Sequence, residues 1–166
     1  MRRIFVPCGL LAIFLLSYAV FGQVERGGTQ KNMELQTKGD HMNYVRTVDF
    51  AAIDRTGPGE RFTQTLFDQT SGAKTCTIQC IKTPAGGGSP AGLHAHRVDQ
   101  IFYILKGTMS IEIEGEQYEV GPGTLVIFPA GVPHRNWNGS TEPTVHLAFN
   151  TPMPDPNLPF ATSVKP

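Results

Sequence analysis

Two segments of this chain carry three of its five histidines: Gly88-Ser-Pro-Ala-Gly-Leu-His94-Ala-His96-Arg-Val-Asp-Gln100 and Gly123-Thr-Leu-Val-Ile-Phe-Pro129-Ala-Gly131-Val-Pro-His134-Arg-Asn-Trp-Asn138. In both segments, glycine and proline turns flank short runs of strand-forming residues, and this pattern predicts β-strands joined by tight turns. A rigid β-scaffold can hold several imidazoles around one ion. We therefore interpret the two segments as parts of a single metal site.

The spacing within the first segment predicts that its ligands share a face. Successive side chains on a strand alternate in direction, so His94, His96 and Gln100 point one way and Asp99 points the other. His134 would come from a second strand, which the turn before it directs toward the site. Imidazole binds zinc, copper, nickel and iron alike, so the histidines indicate a divalent transition metal without naming it. The predicted ligands are His94, His96, Gln100 and His134.

The two segments resemble the two cupin motifs, which that family writes as G-x5-H-x-H-x3-E-x6-G and G-x5-P-x-G-x2-H-x3-N. The matching positions are Gly88, His94, His96 and Gly107 in the first motif, and Gly123, Pro129, Gly131, His134 and Asn138 in the second. One position departs, because Gln100 stands where the family usually has glutamate. The resemblance implies an all-β fold, a single jelly-roll β-barrel, with one ion at its mouth that could be manganese, iron, nickel, copper or zinc.

Composition agrees with an all-β chain. Eighteen glycines and thirteen prolines lie between short β-branched and aromatic runs, as expected of many strands joined by turns. The formal net charge is zero, and no basic run interrupts the middle of the chain, which argues against a nucleic-acid partner. Cys76 and Cys80 would lie about 13 Å apart on one strand, beyond disulfide reach, so we interpret both as buried thiols.

The predicted organisation has four parts. Residues 1–22 form a short basic start, an apolar run and a plausible cleavage site, the pattern of a signal peptide that exports the chain to the periplasm or the exterior. An uncleaved membrane anchor is the alternative, because the run approaches the roughly 20 residues that span a bilayer. Residues 23–43 are a polar linker, 44–150 the barrel, and 151–166 a proline-rich tail that cannot join a sheet interior. After cleavage we expect no stable membrane association.

Within the barrel, alternating and β-branched runs predict strands and no helix. The predicted strands cover residues 44–53, 61–67, 75–82, 100–105, 109–114, 124–128 and 145–150. A hairpin is expected across Lys106-Gly107-Thr108, and Glu112 and Glu114 are expected on one solvated strand face. Asn138, at the end of the second motif, is expected to hold a turn rather than to bind substrate.

Gln100 alters the chemistry that the site would support. A glutamate would neutralise part of the charge of a divalent ion, whereas glutamine leaves it whole and so favours Lewis-acid steps over oxidation of the metal. Similar cupins with glutamine as fourth ligand include manganese-dependent hydroxynitrile lyases and an enzyme that linearises unsaturated uronates. Quercetinase-like dioxygenases have similar short barrels and usually keep the carboxylate. A β-bulge that turned Asp99 inward would restore one here.

His146 is the candidate catalytic acid or base, since histidine titrates near neutrality; a surface histidine is the alternative. We expect an exported, metal-dependent enzyme that acts on a small oxygen-rich substrate by lyase or isomerase chemistry. A quercetinase-like dioxygenase, a non-catalytic ligand-binding barrel and a structural or storage barrel are the alternatives. Small cupins pair by exchanging N-terminal strands, so the resemblance also implies a homodimer.

Overall fold

The computed structural model describes residues 44–88 and 90–165, which lie in one compact unit. The signal peptide and linker predicted for residues 1–43 lie outside the described residues. The elements are α1 Phe50–Arg55, β1 Phe62–Phe67, β2 Thr77–Thr83, β3 His94–His96, β4 Asp99–Lys106, β5 Met109–Ile113, β6 Glu116–Val120, β7 Leu125–Phe128, β8 His134–Trp137, β9 Thr144–Thr151 and β10 Ala161–Ser163. No helix in these ranges is long and apolar enough to cross a membrane.

The strands form two five-stranded sheets. Sheet A has the order β1-β2-β9-β4-β7 and sheet B the order β10-β3-β8-β5-β6, with antiparallel neighbours throughout. Chain neighbours such as β4 and β5 lie in different sheets, which is the connectivity of a jelly roll. The predicted all-β jelly-roll barrel is therefore confirmed.

Two apolar clusters stabilise the unit. The inner cluster lies between the sheets and consists of Ile81, Phe102, Ile104, Met109, Ile111, Phe128 and Ala148. The outer cluster joins sheet A to α1 and consists of Ile53, Leu66, Cys80 and Val145. Each fully buried aliphatic or aromatic side chain contributes about 1.5–3 kcal/mol. Phe102 and Ala148 lie in the middle of β4 and β9 and belong to the inner cluster. The buried polar side chains Gln100 and Asn150 of these two strands lie nearer the strand ends.

The strand predicted for residues 44–53 is wrong, because its second half forms α1. The Asp49 side chain accepts a hydrogen bond from the Ala52 amide at 2.8 Å and caps the helix N-terminus. At the other end, the backbone and hydroxyl of Thr56 both donate to the Ala52 carbonyl. Ile53 then packs into the outer cluster, and the buried Lys82 ammonium donates to carbonyls that follow the helix. The capping groups and the burial of Ile53 thus stabilise a helix here, although the alternation of apolar residues suggested a strand.

The predicted hairpin across Gly107 is also wrong. β4 pairs with β7 and β9, whereas β5 pairs with β6 and β8, so Gly107 carries the chain from sheet A to sheet B. Its φ is +76°, and a Cβ there would meet the Pro143 carbonyl oxygen at 2.6 Å. Only glycine fits this corner without displacing backbone.

The true hairpin joins β5 to β6, a strand that the sequence did not predict. Glu114 and Gly115 form its turn with φ of +52° and +86°, the positive pair that two-residue type I′ hairpins need. Glu114 therefore does not share a strand face with Glu112. Glu112 is buried rather than solvated, because Arg135 pairs with it at 2.6 Å and Gln117 donates to it at 3.2 Å.

The proline-rich tail returns to the barrel. After Pro159 the chain forms β10, which pairs with β3 at the edge of sheet B. An edge position agrees with the expectation that the prolines cannot enter a sheet interior, but the pairing itself was not predicted. The tail thus reaches the strand that carries His94 and His96.

Candidate metal centre

The structure brings together three of the predicted ligands. His94 and His96 project from β3, and His134 projects from the adjacent β8, where it is the direct register partner of His94. All three side chains are buried. Their ligand nitrogens lie within 4.8 Å of one another, and the ring centroids are 4.5–4.9 Å apart. Three imidazoles in this arrangement can bind one ion.

Backbone carbonyls fix the protonation of these rings. The Nδ1 atom of each lies 2.8–3.0 Å from a carbonyl oxygen, which can only accept a hydrogen bond. The pairs are His94 with Gly92, His96 with Phe160, and His134 with Val132. Each Nδ1 therefore carries the proton, and the Nε2 lone pair is left for a metal.

The Nε2 atoms of His94 and His134 are buried and have no hydrogen-bond partner among the described residues. Leaving a buried polar atom unsatisfied costs about 1–3 kcal/mol, so two together call for an explanation. Burial lowers the pKa of His134 to about 4, against the opposing Val132 hydrogen bond, and burial likewise lowers the pKa of His96. The lowered pKa values favour the neutral rings of His134 and His96, as metal ligation requires. These residues fit a divalent transition ion.

Gln100 approaches the cluster from the opposite sheet. It is buried on β4, and its amide nitrogen donates to the Asn150 side-chain oxygen at 2.9 Å. The Asn150 amide nitrogen in turn donates to the Thr77 hydroxyl at 2.8 Å. This relay occupies the Gln100 amide nitrogen, so the amide oxygen is the atom that Gln100 can offer to an ion. Three imidazole nitrogens and one amide oxygen can therefore form the ligand set.

Asp99 points away from this set. Its carboxylate accepts a hydrogen bond from the Ala130 amide at 2.8 Å on the outside of the barrel, and β4 runs regularly past it with no inward bulge. The Gly131 amide donates to the His96 carbonyl at 2.8 Å. These two bonds attach the turn of the second motif to the strands of the first, so the turn places His134 beside His94.

His146 does not join the cluster. It is buried on β9, and its ring contacts Phe102 at 4.3 Å; the path of ring contacts continues through Phe128 to His134. Neither ring nitrogen of His146 has a hydrogen-bond partner among the described residues. Burial lowers its pKa to about 3, with a smaller effect from the Arg61 charge. His146 is therefore a neutral, enclosed side chain, neither at the surface nor among the ligands.

The remaining motif residues are structural. Asn138 donates to the carbonyls of Thr83 and Glu142 and accepts from the amide and hydroxyl of Ser140, so it fastens the turn after β8. At Gly88, a Cβ would meet the Asn136 carbonyl oxygen at 2.7 Å. Glycine at this position lets the loop before β3 lie against β8.

Three residues of the site were not predicted: Thr77, Asn150 and Phe160. Thr77 and Asn150 hold Gln100 in place, and Phe160 stacks on His96 with ring centroids 4.2 Å apart. A cavity of about 320 Å³ adjoins them, and its walls are formed by Thr65, Asp68, Thr77, Gln79, Asn150, Pro154 and Phe160. The strand face of His146 includes Asn150, which was a usable signal, but nothing in the sequence indicated that residue 160 returns to β3.

Comparison with known proteins agrees with this architecture. Residues 81–150 match the family model described as the cupin domain. No curated protein matches the chain. Among solved structures, the polyketide cyclase RemF from Streptomyces resistomycificus is 26% identical with a TM-score of 0.55, over 78% of this chain and 86% of that one. The protein TT1209 from Thermus thermophilus is 22% identical with a TM-score of 0.55, over 66% and 100%. KdgF from Halomonas sp. is 22% identical with a TM-score of 0.50, over 61% and 86%.

Proposed function

The chain belongs to the cupin superfamily, and from that premise we propose that it is a metal-dependent enzyme that transforms a small oxygen-rich substrate by lyase, isomerase or cyclase chemistry. One observation carries the proposal: three buried histidines converge with every Nδ1 held by a carbonyl and two Nε2 atoms left without partners among the described residues. A divalent ion held by His94, His96, His134 and Gln100 would supply Lewis-acid polarisation of a substrate oxygen.

The neutral ligand set supports non-redox chemistry. Among the described residues, the cluster of possible metal ligands contains no carboxylate or thiolate, and Asp99 faces outward. An ion held by neutral groups keeps its full charge, which strengthens Lewis acidity and disfavours oxidation of the metal. RemF, at 26% identity, is named as a polyketide cyclase, which also fits a carbonyl-rich substrate.

The cavity beside the centre supports a small substrate. Its walls present the hydroxyls of Thr65 and Thr77, the amide of Gln79 and the carboxylate of Asp68, groups that can bind substrate hydroxyls. The ring of Phe160 adds an apolar surface. Several polar groups beside one aromatic ring can orient a small hydroxylated ligand.

Metal analysis tests the proposal first. We expect protein purified without added metal to contain about one transition-metal ion per chain, and the His96→Ala variant to contain almost none. The Gln100→Glu variant is the matched control for ligand charge, and we expect it to retain metal. A wild-type chain that holds no metal after incubation with manganese, iron, nickel, copper and zinc would refute the proposal.

Turnover assays then separate the reaction classes. The loaded enzyme is offered flavonols, enediol compounds, uronates and polyketide-like polyketones, with and without oxygen. We expect product to form at equal rates under nitrogen and in air. Oxygen uptake in proportion to product would instead identify a quercetinase-like dioxygenase.

A ligand-binding barrel without turnover is the second candidate, and the position of His146 favours it. The one predicted acid or base lies behind Phe102, away from the ligand cluster. A centre without an adjoining proton-transfer group is better suited to binding than to general acid–base catalysis. Calorimetry that finds tight binding of a compound recovered unchanged would select this function.

We also propose a homodimer through the outer face of sheet A. Leu125 and Ile127 on the edge strand β7 are 67% and 51% exposed, and their register partners Tyr103 and Ile101 extend the same face. A second copy of this chain is the expected occupant, because a contiguous apolar face on a sheet edge favours self-association. Light scattering after size exclusion should give a dimer for the wild type and a monomer for Ile127→Lys. The notion of exchanged N-terminal strands assumed two strands in residues 44–67, but the structure has only one strand there, β1.

The N-terminal sequence supports the further proposal that the chain is exported and cleaved after residue 22. Expression in a bacterial host, followed by fractionation and N-terminal sequencing, tests it. A mature protein outside the cytoplasm that begins near Gln23 is the expected result, and an intact chain in the membrane fraction would instead indicate an anchor.

A further inference from the structure

We propose that the proline-rich tail contributes to the metal centre. Phe160, in this tail, is a positioning residue that fixes His96 and slows release of the ion. The inference rests on the proposed metal-dependent function. It assigns a role to residues 151–163, which lie beyond the segment that matches the cupin domain model.

The first observation is a difference among the three carbonyl contacts. His94 and His134 are held by Gly92 and Val132, each two residues earlier in the same segment. His96 is held by the carbonyl of Phe160, which is 64 residues away in the chain. The orientation and protonation of two ligands are thus set locally, while those of the third depend on docking of the tail.

The second observation is the ring of Phe160. It stacks on His96 with ring centroids 4.2 Å apart and planes 29° from parallel. Phe160 is 40% exposed, whereas His96 beneath it is 2% exposed. The ring therefore stands between the ligand and solvent, and its removal would admit water to one side of the centre.

The third observation is the way the tail is attached. β10 pairs residue by residue with the ligand strand β3, with Ala161 opposite His96 and Ser163 opposite His94. The Val164 amide adds a hydrogen bond to the Leu93 carbonyl at 2.9 Å. β10 is a three-residue edge strand in which Thr162 and Ser163 are exposed, so it can detach locally without unfolding of the barrel.

Two cavities border Phe160. One is the 320 Å³ cavity, and the second, of about 180 Å³, is lined by the tail and by Arg97 and Val98. Phe160 lines both cavities. Because Phe160 also stacks on His96, docking of the tail shapes both cavities next to this ligand.

The experiment measures metal release from the loaded protein into excess chelator. We expect Phe160→Ala to release metal about 10-fold faster than wild type, the size of effect that loss of an outer-shell partner produces, and Phe160→Tyr to match wild type. A chain that ends at Pro159 loses the carbonyl as well and should release faster still. Leu158→Ala is the matched control, because it removes a similarly exposed apolar side chain of the same tail without a ring contact to His96.

Cobalt substitution supplies the readout that a purely structural role would not change. The visible absorption of bound cobalt(II) reports ligand geometry, so we expect it to shift in the chain ending at Pro159 and to be preserved in Leu158→Ala. Equal release rates for wild type, Phe160→Ala and the shortened chain, with unchanged cobalt spectra, would overturn the inference and leave the proposed function intact. A wild-type chain that binds no metal would overturn both.

Discussion

Buried histidines at the two ends of the barrel interior differ in their hydrogen bonds. At one end, His94, His96 and His134 each bond a carbonyl through Nδ1 and turn Nε2 toward one another. Further along, His146 is just as buried but bonds nothing among the described residues through either nitrogen. His146 lies four residues before Asn150 on β9, or about 13 Å along the strand, with Phe102 packed against its ring.

The difference shows that burial alone does not make a ligand. Burial depresses the pKa of both His134 and His146, so both rings are neutral near pH 7. Only the rings at the first end have an orienting partner on the far nitrogen, which fixes both the proton and the direction of the lone pair. Orientation by the surrounding backbone therefore distinguishes the candidate metal centre from a histidine enclosed in the core.

The same contrast extends to the neighbouring polar groups. At the metal end, Gln100, Asn150 and Thr77 form a hydrogen-bonded relay. At the other end, the hydroxyls of Thr83 and Thr144, which are register partners across β2 and β9, are buried and have no partner among the described residues. The relay at one end thus positions a ligand, while the two unpartnered hydroxyls at the other end are destabilising.

Removing one histidine at a time tests the comparison most severely. We expect His134→Ala to lose metal affinity by more than the roughly 100-fold that an outer-shell change can cause, because it removes a direct ligand. The matched variant His146→Ala should keep wild-type affinity even though it leaves a cavity in the inner cluster. Equilibrium titration against a chelator measures both. Equal losses in the two variants would show that His146 belongs to the centre.

Acid sensitivity is the second test, and its sign follows from the His146 pKa. The folded pKa of about 3 lies below the ordinary 6.5, so the unfolded chain binds the proton first. Stability from this group is therefore complete above about pH 6.5 and is lost as the pH falls toward 3, by about 3 kcal/mol at pH 4 relative to pH 7. Urea titrations of metal-free protein at both pH values measure the unfolding free energy. We expect it to fall by about 3 kcal/mol less in His146→Leu than in wild type between pH 7 and pH 4. An equal fall in unfolding free energy in wild type and His146→Leu would contradict the assignment of His146 as a buried, neutral side chain.

Much of this organisation was predictable from the sequence, for reasons that particular residues make clear. His94 and His96 share a face of β3 because strand alternation is local, and glycines and prolines mark the turns that end the strands. The prediction that Gln100 lies on the same strand face was wrong, because the chain changes sheet before β4 and Gln100 reaches the histidines from the other sheet. Asn138 was correctly expected to hold a turn, as its contacts with Thr83, Ser140 and Glu142 show.

The errors arose where pairing between distant segments decides the outcome. Nothing local distinguishes a hairpin at Gly107 from a corner, because the Pro143 carbonyl that excludes a side chain there is distant in sequence. The contact of Phe160 with His96 spans 64 residues and is equally invisible. At α1, by contrast, Asp49 was a readable cap that the apparent alternation obscured.

The relay behind Gln100 provides a third, smaller test. Asn150→Leu keeps the volume but removes the acceptor that holds the Gln100 amide nitrogen, so we expect metal affinity to fall about 10-fold. Ala148→Gly, on the same strand face but outside the relay, is the control that changes packing alone, and its affinity should not change. If Asn150→Leu binds metal as tightly as wild type, Gln100 either is oriented by other groups or does not bind the ion.

The smallest expected effect is also the closest comparison of the two ends, because it makes the same substitution in each. Thr144→Val removes a buried hydroxyl that has no partner among the described residues. The hydroxyl is hydrated in the unfolded chain but unbonded in the folded protein, so its removal raises the free energy of the unfolded state more. We therefore expect the variant to be more stable by up to about 1 kcal/mol. Thr77→Val removes the hydroxyl that accepts from Asn150, so we expect a destabilisation of about 1 kcal/mol. Both proteins have the same methyl in place of the same hydroxyl, so a difference in the sign of the change in unfolding free energy is the result expected from the difference in bonding. Opposite signs in urea titration would support the contrast between the two threonines, whereas a destabilised Thr144→Val would mean that the Thr144 hydroxyl has a partner after all.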